Sequence, residues 1–313
     1  MTTAVPDSNL QPITAFPSAQ LLTDPVRRPV EQLVSAYAGH AWRVQAFQDL
    51  IDLASHHCGI LSDGTTAIFA KFSPAANGLD QFEVEMAGLR CLAARAGVLV
   101  PTPIGAIVVP GGSVLVMEAA QAVERTPPQW REIGRTLARI HRVKGHFCGF
   151  EEQGYFGSTF QDNRPMSDWV SFYIERRLWP SLAAAINAGQ LPSGVIRKVE
   201  KLILRLPTLN IPPVEPVLLH GDAQQNNYIS TAAGAVVIDP AVYYGNPEFD
   251  LAHLETFQEV PRDVFDGYQE ELPIDPGFYE RRELWRVAAY LLCVALAGES
   301  YLPQLTTAVE KYL

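Results

Sequence analysis

The stretch His220-Gly221-Asp222-Ala223-Gln224-Gln225-Asn226-Asn227, followed by Ala235-Val236-Val237-Ile238 and closed by Asp239-Pro240, decides how this 313-residue chain is read. It joins an H-x-D-x4-N spacing to an aspartate that ends a short apolar strand. Phosphoryl transfer from a nucleotide uses these residue types. One carboxylate positions and deprotonates an acceptor hydroxyl, while an amide oxygen and a second carboxylate hold Mg²⁺. Asp222, Asn227 and Asp239 fit those roles in that order. Magnesium prefers hard oxygen ligands and keeps water and phosphate oxygens in its shell, so two protein ligands suffice.

Working outward, the island lies among helical patterns at 130–141, 167–188, 194–206 and 261–313. Upstream of Gln121 the texture differs. A short helix is expected over 29–40, and apolar and polar residues begin to alternate at 42–47. Residues 53–72 read as a hairpin turning at Ser62-Asp63-Gly64-Thr65, and 80–96 carry Phe82, Met86, Leu89 and Leu92 at helical spacing. Strands follow at 104–109 and 114–118, separated by Pro110-Gly111-Gly112. The expectation is an α+β protein with a flexible N-terminal arm over 1–30. A small antiparallel β lobe with one helix, 31–120, would bind nucleotide, and a larger, mainly helical lobe, 121–313, would carry catalysis and the acceptor. Lysine is scarce: Lys71, Lys144, Lys198, Lys201 and Lys311 are all the chain has. Lys71, late in the hairpin, can reach the α- and β-phosphates, and Glu85 on the next helix can fix its ammonium.

A formal net charge of -10 argues against a protein that covers nucleic acid phosphates or an anionic membrane. Cys58, Cys91, Cys148 and Cys293 form no C-x-x-C pair, which points to buried reduced thiols rather than a zinc site or disulfide framework. The N-terminus lacks a basic start and a continuous apolar stretch, and the apolar run at 284–298 is broken by Arg286. A soluble cytoplasmic monomer or homodimer acting on a small-molecule hydroxyl, with neither nucleic acid nor membrane as partner, is expected.

The chain resembles the fructosamine kinase and aminoglycoside phosphotransferase group, the small-molecule branch of the protein-kinase-like fold. Besides the H-G-D-x4-N motif, Ile238-Asp-Pro-Ala-x-x-Tyr-Gly245, Asn246-Pro-Glu-Phe-Asp-Leu-Ala252 and Phe82-Glu-x-Glu-x-x-Gly-Leu-Arg90 carry the likeness. So do Tyr155-Phe-Gly-Ser158, Asp168-Trp-Val-x-Phe172 and Glu175-Arg-Arg-Leu178. The resemblance implies a bilobal fold and ATP- and Mg²⁺-dependent phosphorylation of a sugar-like or amine-bearing acceptor, with the adenine held near Glu118 to Ala120. His220 and Asp250 read as structural supports of the catalytic loop.

Fructosamine kinases typically carry Leu-Trp-Ser-Gly where this chain has Ala223-Gln224-Gln225-Asn226, which implies a different acceptor pocket, with Gln224 and either Tyr244 or Trp285 as substrate contacts. That loop and an arginine-rich composition favour an antibiotic or aminosugar natural product as acceptor. The alternative is a fructosamine or ketosamine 3-kinase of protein deglycation repair. The nucleotide loop lacks the family's paired glycines, leaving the Ser55 hydroxyl and backbone amides to meet phosphate. A third reading, a pseudokinase that binds nucleotide without transfer, rests on that loop alone.

Overall fold

In a computed structural model of the chain, residues 18–51 and 57–313 are described. They divide into two units, one of residues to Met86 with Pro101–Ala119, the other of Ala87–Val100 with Ala120–Leu313. The second unit therefore takes up a stretch ahead of Ala120 that the sequence assigns to the first lobe.

The first unit opens with a 3-10 turn, Ala19–Leu22, and a helix α1, Asp24–Ala38. This corrects two expectations. Residues 18–30 are built into the fold rather than forming an arm, and Pro29 lies inside the helix rather than starting it. Residues 1–17 lie outside the described part. An interior proline costs about 3 kcal/mol. Val26, Val30 and Val34, spaced four apart on one face, are all buried, and each buried valine returns about 1.5 kcal/mol or more. The stripe outweighs the lost backbone bond.

The strands β1 (Ala46–Asp49), β2 (His57–Ser62) and β3 (Ala67–Ser73) precede helix α2 (Gly78–Ala96), and β4 (Pro103–Val109) and β5 (Gly112–Glu118) follow it. They form one antiparallel sheet in the order β1-β2-β3-β5-β4. Its central strand β3 sets Lys71 opposite Cys58 on one side and Leu115 on the other. Trp42 does not begin a strand. It is fully buried, and its indole N–H donates to the Thr66 carbonyl at 3.2 Å.

Besides the end of α2, the second unit contains α3 (Pro127–His141), the hairpin β6 (Gly154–Phe156) and β7 (Thr159–Gln161), and helices α4 (Trp169–Tyr173) and α5 (Trp179–Asn187). Between α4 and α5 the chain passes through a π turn, Ile174–Leu178. Arg177 in that turn is buried, donates to Asn163 Oδ1 at 2.6 Å and lies 4.2 Å over the Tyr243 ring. Then come α6 (Ser193–Arg205), β8 (Val217–Leu219), β9 (Tyr228–Thr231), β10 (Gly234–Val237), β11 (Tyr243–Gly245) and α7 (Pro247–His253). Helices α8 (Arg262–Gln269), α9 (Phe278–Ala297) and α10 (Leu302–Glu310) complete it. Arg286, the charge inside the apolar run, is buried in α9 and donates to the Ala252 carbonyl, Glu283 and Glu255 at 2.9 Å each. No helix among the described residues is long and apolar enough to cross a membrane.

Helices α3 and α8 pack backbone to backbone at Gly134. A Cβ placed there falls 1.9 Å from the Val264 carbonyl oxygen. Gly134→Val must part the two helices, and overpacking of this kind costs about 1–3 kcal/mol. A lowered urea midpoint with an unchanged denaturant slope is the expected result; an unchanged midpoint contradicts the contact.

Candidate active site

The site in the second unit grows from a short sheet. β8 pairs with β11, and the chain leaves β8 through His220, Gly221 and Asp222. Gly221 has φ of 81°, and a Cβ there would stand 1.9 Å from the Ala241 carbonyl oxygen. Only glycine permits both the left-handed backbone and that approach.

Asp250 holds this turn from α7. Asn246 caps the helix by accepting the Glu248 N–H at 2.9 Å, and Pro247 fills its first turn. The Asp250 carboxylate, fully buried, accepts from the backbone N–H of His220 at 2.6 Å, the N–H of Gly221 at 3.1 Å and the His141 ring at 3.2 Å. Burial alone would raise this carboxyl. The hydrogen bond and charge of His141, with His220, outweigh it and hold the group below its ordinary range. His220 in turn brackets the loop, with Nε2 donating to the Ile238 carbonyl at 3.0 Å and Nδ1 accepting the Asp222 N–H at 3.2 Å. Burial keeps its imidazole pKa below the usual value, which suits a neutral hydrogen-bonding group.

Asp222 is half-buried, and its two carboxylate oxygens differ. Oδ2 accepts from Asn227 Nδ2 at 3.0 Å and from Gln224 Nε2 at 3.4 Å, whereas Oδ1 is buried with no hydrogen-bond partner among the described residues. Removal from water, joined by the Asp239 charge and opposed by the Asn227 bond, pushes this carboxyl up to about 7. Asn227 also donates to the Asp222 carbonyl at 2.8 Å, so its own amide oxygen is the atom it can offer to a cation. Asp239 follows β10 with φ of 50°, the one positive value outside glycine among the described residues. No group of three or more His, Cys, Asp or Glu among the described residues could hold a metal. A cation here would rest on the hard oxygens of Asn227 and Asp239, a set that fits Mg²⁺ completed by phosphate and water.

In the first unit Lys71 and Glu85 meet at 3.0 Å, both nearly buried. Glu118 ends β5, and its carboxylate accepts from the Tyr37 hydroxyl at 2.9 Å; Ala120 follows two residues on. Ser55 lies outside the described residues.

The aromatic substrate contacts expected from sequence are corrected. Trp285 is fully buried with its indole N–H donated to Glu248 at 2.8 Å, and Tyr244 is buried with its hydroxyl accepting from Arg95 at 2.7 Å. Both rings are buried with their polar atoms engaged, Trp285 by the buried Glu248 and Tyr244 by Arg95, whose own side chain is exposed. Residues missed from sequence are His141, whose only signal is a position in the last turn of an amphipathic helix, and Gln258, which accepts from Gln225 Nε2 at 2.6 Å.

A β unit carrying a buried lysine–glutamate pair and a helical unit carrying H-G-D-x4-N define a phosphotransferase of the protein-kinase-like fold. An aminoglycoside phosphotransferase has this fold, with a TM-score of 0.58 at 14% identity over 90% of this chain and 96% of its own. More narrowly, the chain belongs to the fructosamine kinase family, whose model matches residues 27–313, and it is a kinase with an alcohol group as acceptor. It is 32% identical to a probable ketoamine kinase of Synechocystis over 88% of this chain and 92% of that one. It is also 32% identical to the chloroplastic protein-ribulosamine 3-kinase of Arabidopsis thaliana, over 84% and 80%. The crystal structure of a candidate fructosamine-3-kinase from Thermobifida fusca superposes with a TM-score of 0.77 at 33% identity, over 90% of this chain and 98% of that one.

Asp250→Asn places an amide N–H2 against one of the N–H donors that the carboxylate now accepts. Breaking one partner of a buried charged network costs about 3–5 kcal/mol. Chemical denaturation should show a loss of that order; a wild-type midpoint contradicts the bracket.

Proposed function

We propose that the protein transfers the γ-phosphoryl group of ATP to a hydroxyl of a ketoamine, the sugar–amine adduct of a fructosamine or ribulosamine. Asp222 carries the reading: its Oδ2 is held by Asn227 and Gln224, and its Oδ1 is kept dry and unbonded. Asp222 Oδ1 takes the proton of the acceptor hydroxyl. The freed oxygen bonds to the γ-phosphorus, the bond from that phosphorus to the bridging oxygen breaks, and ADP leaves. Lys71, steadied by Glu85, binds the α- and β-phosphates. Asn227 and Asp239 hold Mg²⁺, which when bound neutralises phosphate charge. Backbone at Glu118 and Ala120 takes the adenine, and Gln224 orients the acceptor beside Asp222. Positioning and charge neutralisation supply the rate.

The named relatives support a ketoamine acceptor over the antibiotic that the altered 223–226 loop and arginine-rich composition suggest. The test is ADP release on a panel of fructosyl-lysine, ribulosyl-lysine and aminoglycosides. Turnover of the two ketoamines is expected, and turnover confined to aminoglycosides overturns the acceptor.

Two variants and a pH profile probe the mechanism. Asp222→Asn removes the base and should lower turnover by about 10²–10⁴-fold, and Asp239→Ala should abolish transfer with the fold intact; wild-type-like turnover in either sinks the assignment. The base must be unprotonated to act. With its carboxyl raised to about 7, kcat/KM should fall tenfold per pH unit below that value and level off above it. A profile flat down to pH 5 removes Asp222 from the role.

A further inference from the structure

Gln225, buried three residues after Asp222, donates through Nε2 to Gln258 Oε1 at 2.6 Å. That bond ties the catalytic loop to the segment after α7. Next to Gln258 stands Phe257, 37% exposed, its ring edge-on to Tyr301 with centroids 6.2 Å apart and planes at 88°. Tyr301 closes the 3-10 turn Gly298–Tyr301 that continues α9. Cys293, on the last turns of α9, has its thiol pushed up to about 12 by burial and then by the Asp222 charge, and Tyr301 is raised by burial and then by Cys293. Within the second unit Phe257 and Tyr301 thus meet ring to ring, and the residue beside Phe257 is hydrogen-bonded to the loop that carries Asp222.

We propose that Phe257 and Tyr301, tied to the catalytic loop by the Gln225–Gln258 bond, form the aromatic wall of the acceptor subsite. The wall stacks on the C–H face of the sugar while one sugar hydroxyl reaches Asp222. The inference deepens the ketoamine reading and rests on it. Binding sites for small ligands pair apolar and aromatic surface with a few placed polar groups. Here the aromatic pair supplies the first, and the amides of Gln224 and Gln258 supply donors and acceptors for hydroxyls. Asp222 apart, these side chains are neutral. They suit an uncharged polyol face better than a polycation, which calls for several carboxylates.

The test compares Phe257→Ala, Phe257→Tyr and Gln258→Leu by steady-state kinetics on fructosyl-lysine and ATP, with thermal unfolding of each variant. Loss of a ring contact of this kind should raise the acceptor KM about tenfold in Phe257→Ala, with the KM for ATP and the unfolding midpoint unchanged. Phe257→Tyr should restore it, and Gln258→Leu should raise it as well. An unchanged acceptor KM in Phe257→Ala overturns the wall. So does a rise in both KM values with a lowered midpoint, which marks a structural residue. If the wild-type protein ignores fructosyl-lysine but phosphorylates another sugar, the ketoamine reading fails, and the same comparison on that sugar decides the wall.

Discussion

A carboxylate removed from water persists only where donors replace its hydration, and Asp250 is the point at which this chain meets that demand. Its three donors come from two places far apart in sequence: the end of α3 at His141, and the adjacent backbone N–H groups of His220 and Gly221 after β8. One buried charge therefore fixes a helix end and a loop against α7. The turn at Gly221 determines where Asp222 points, and the His220 ring carries the constraint on to Ile238. The catalytic loop and the residue before Asp239 share one bracket.

That bracket also explains a strained residue. A non-glycine residue in the left-handed region costs about 1–2 kcal/mol, and Asp239 adopts it. The backbone is held on both sides, with the Ile238 N–H donating to the Asn227 carbonyl at 3.0 Å and the Ala241 N–H donating to the His220 carbonyl at 2.8 Å. The flanking bonds offset the strain and place the carboxylate after β10 as that strand pair requires. In the first unit the pattern is similar: Lys71, almost without exposure on a central strand, meets the Glu85 carboxylate at 3.0 Å.

Much of this was legible in sequence because the residues involved are rare or tightly spaced. The H-x-D-x4-N interval reflects a loop just long enough for Asn227 to reach back to Asp222, and a lysine-poor chain makes Lys71 conspicuous. The hairpin of β2 and β3 was readable from its turn residues, and the helical period of α2 for the usual reason, that a helix buries one face. What was not legible depended on tertiary partners. Pro29 is an ordinary helix starter, and only burial of the valine stripe shows that α1 begins earlier. Trp285 and Tyr244 have the composition of substrate contacts, but Glu248 and Arg95 claim their polar atoms. The strands β6, β7 and β11 are three residues each, too short for a period to emerge.

The two oxygens of Asp222 are unlike acceptors. Oδ2 is engaged by the side-chain amides of Asn227 and Gln224, while Oδ1 keeps its lone pairs uncommitted among the described residues. A donor brought to this carboxylate therefore meets one defined atom rather than a choice of two, and the direction of its approach is set by the loop before any ligand arrives.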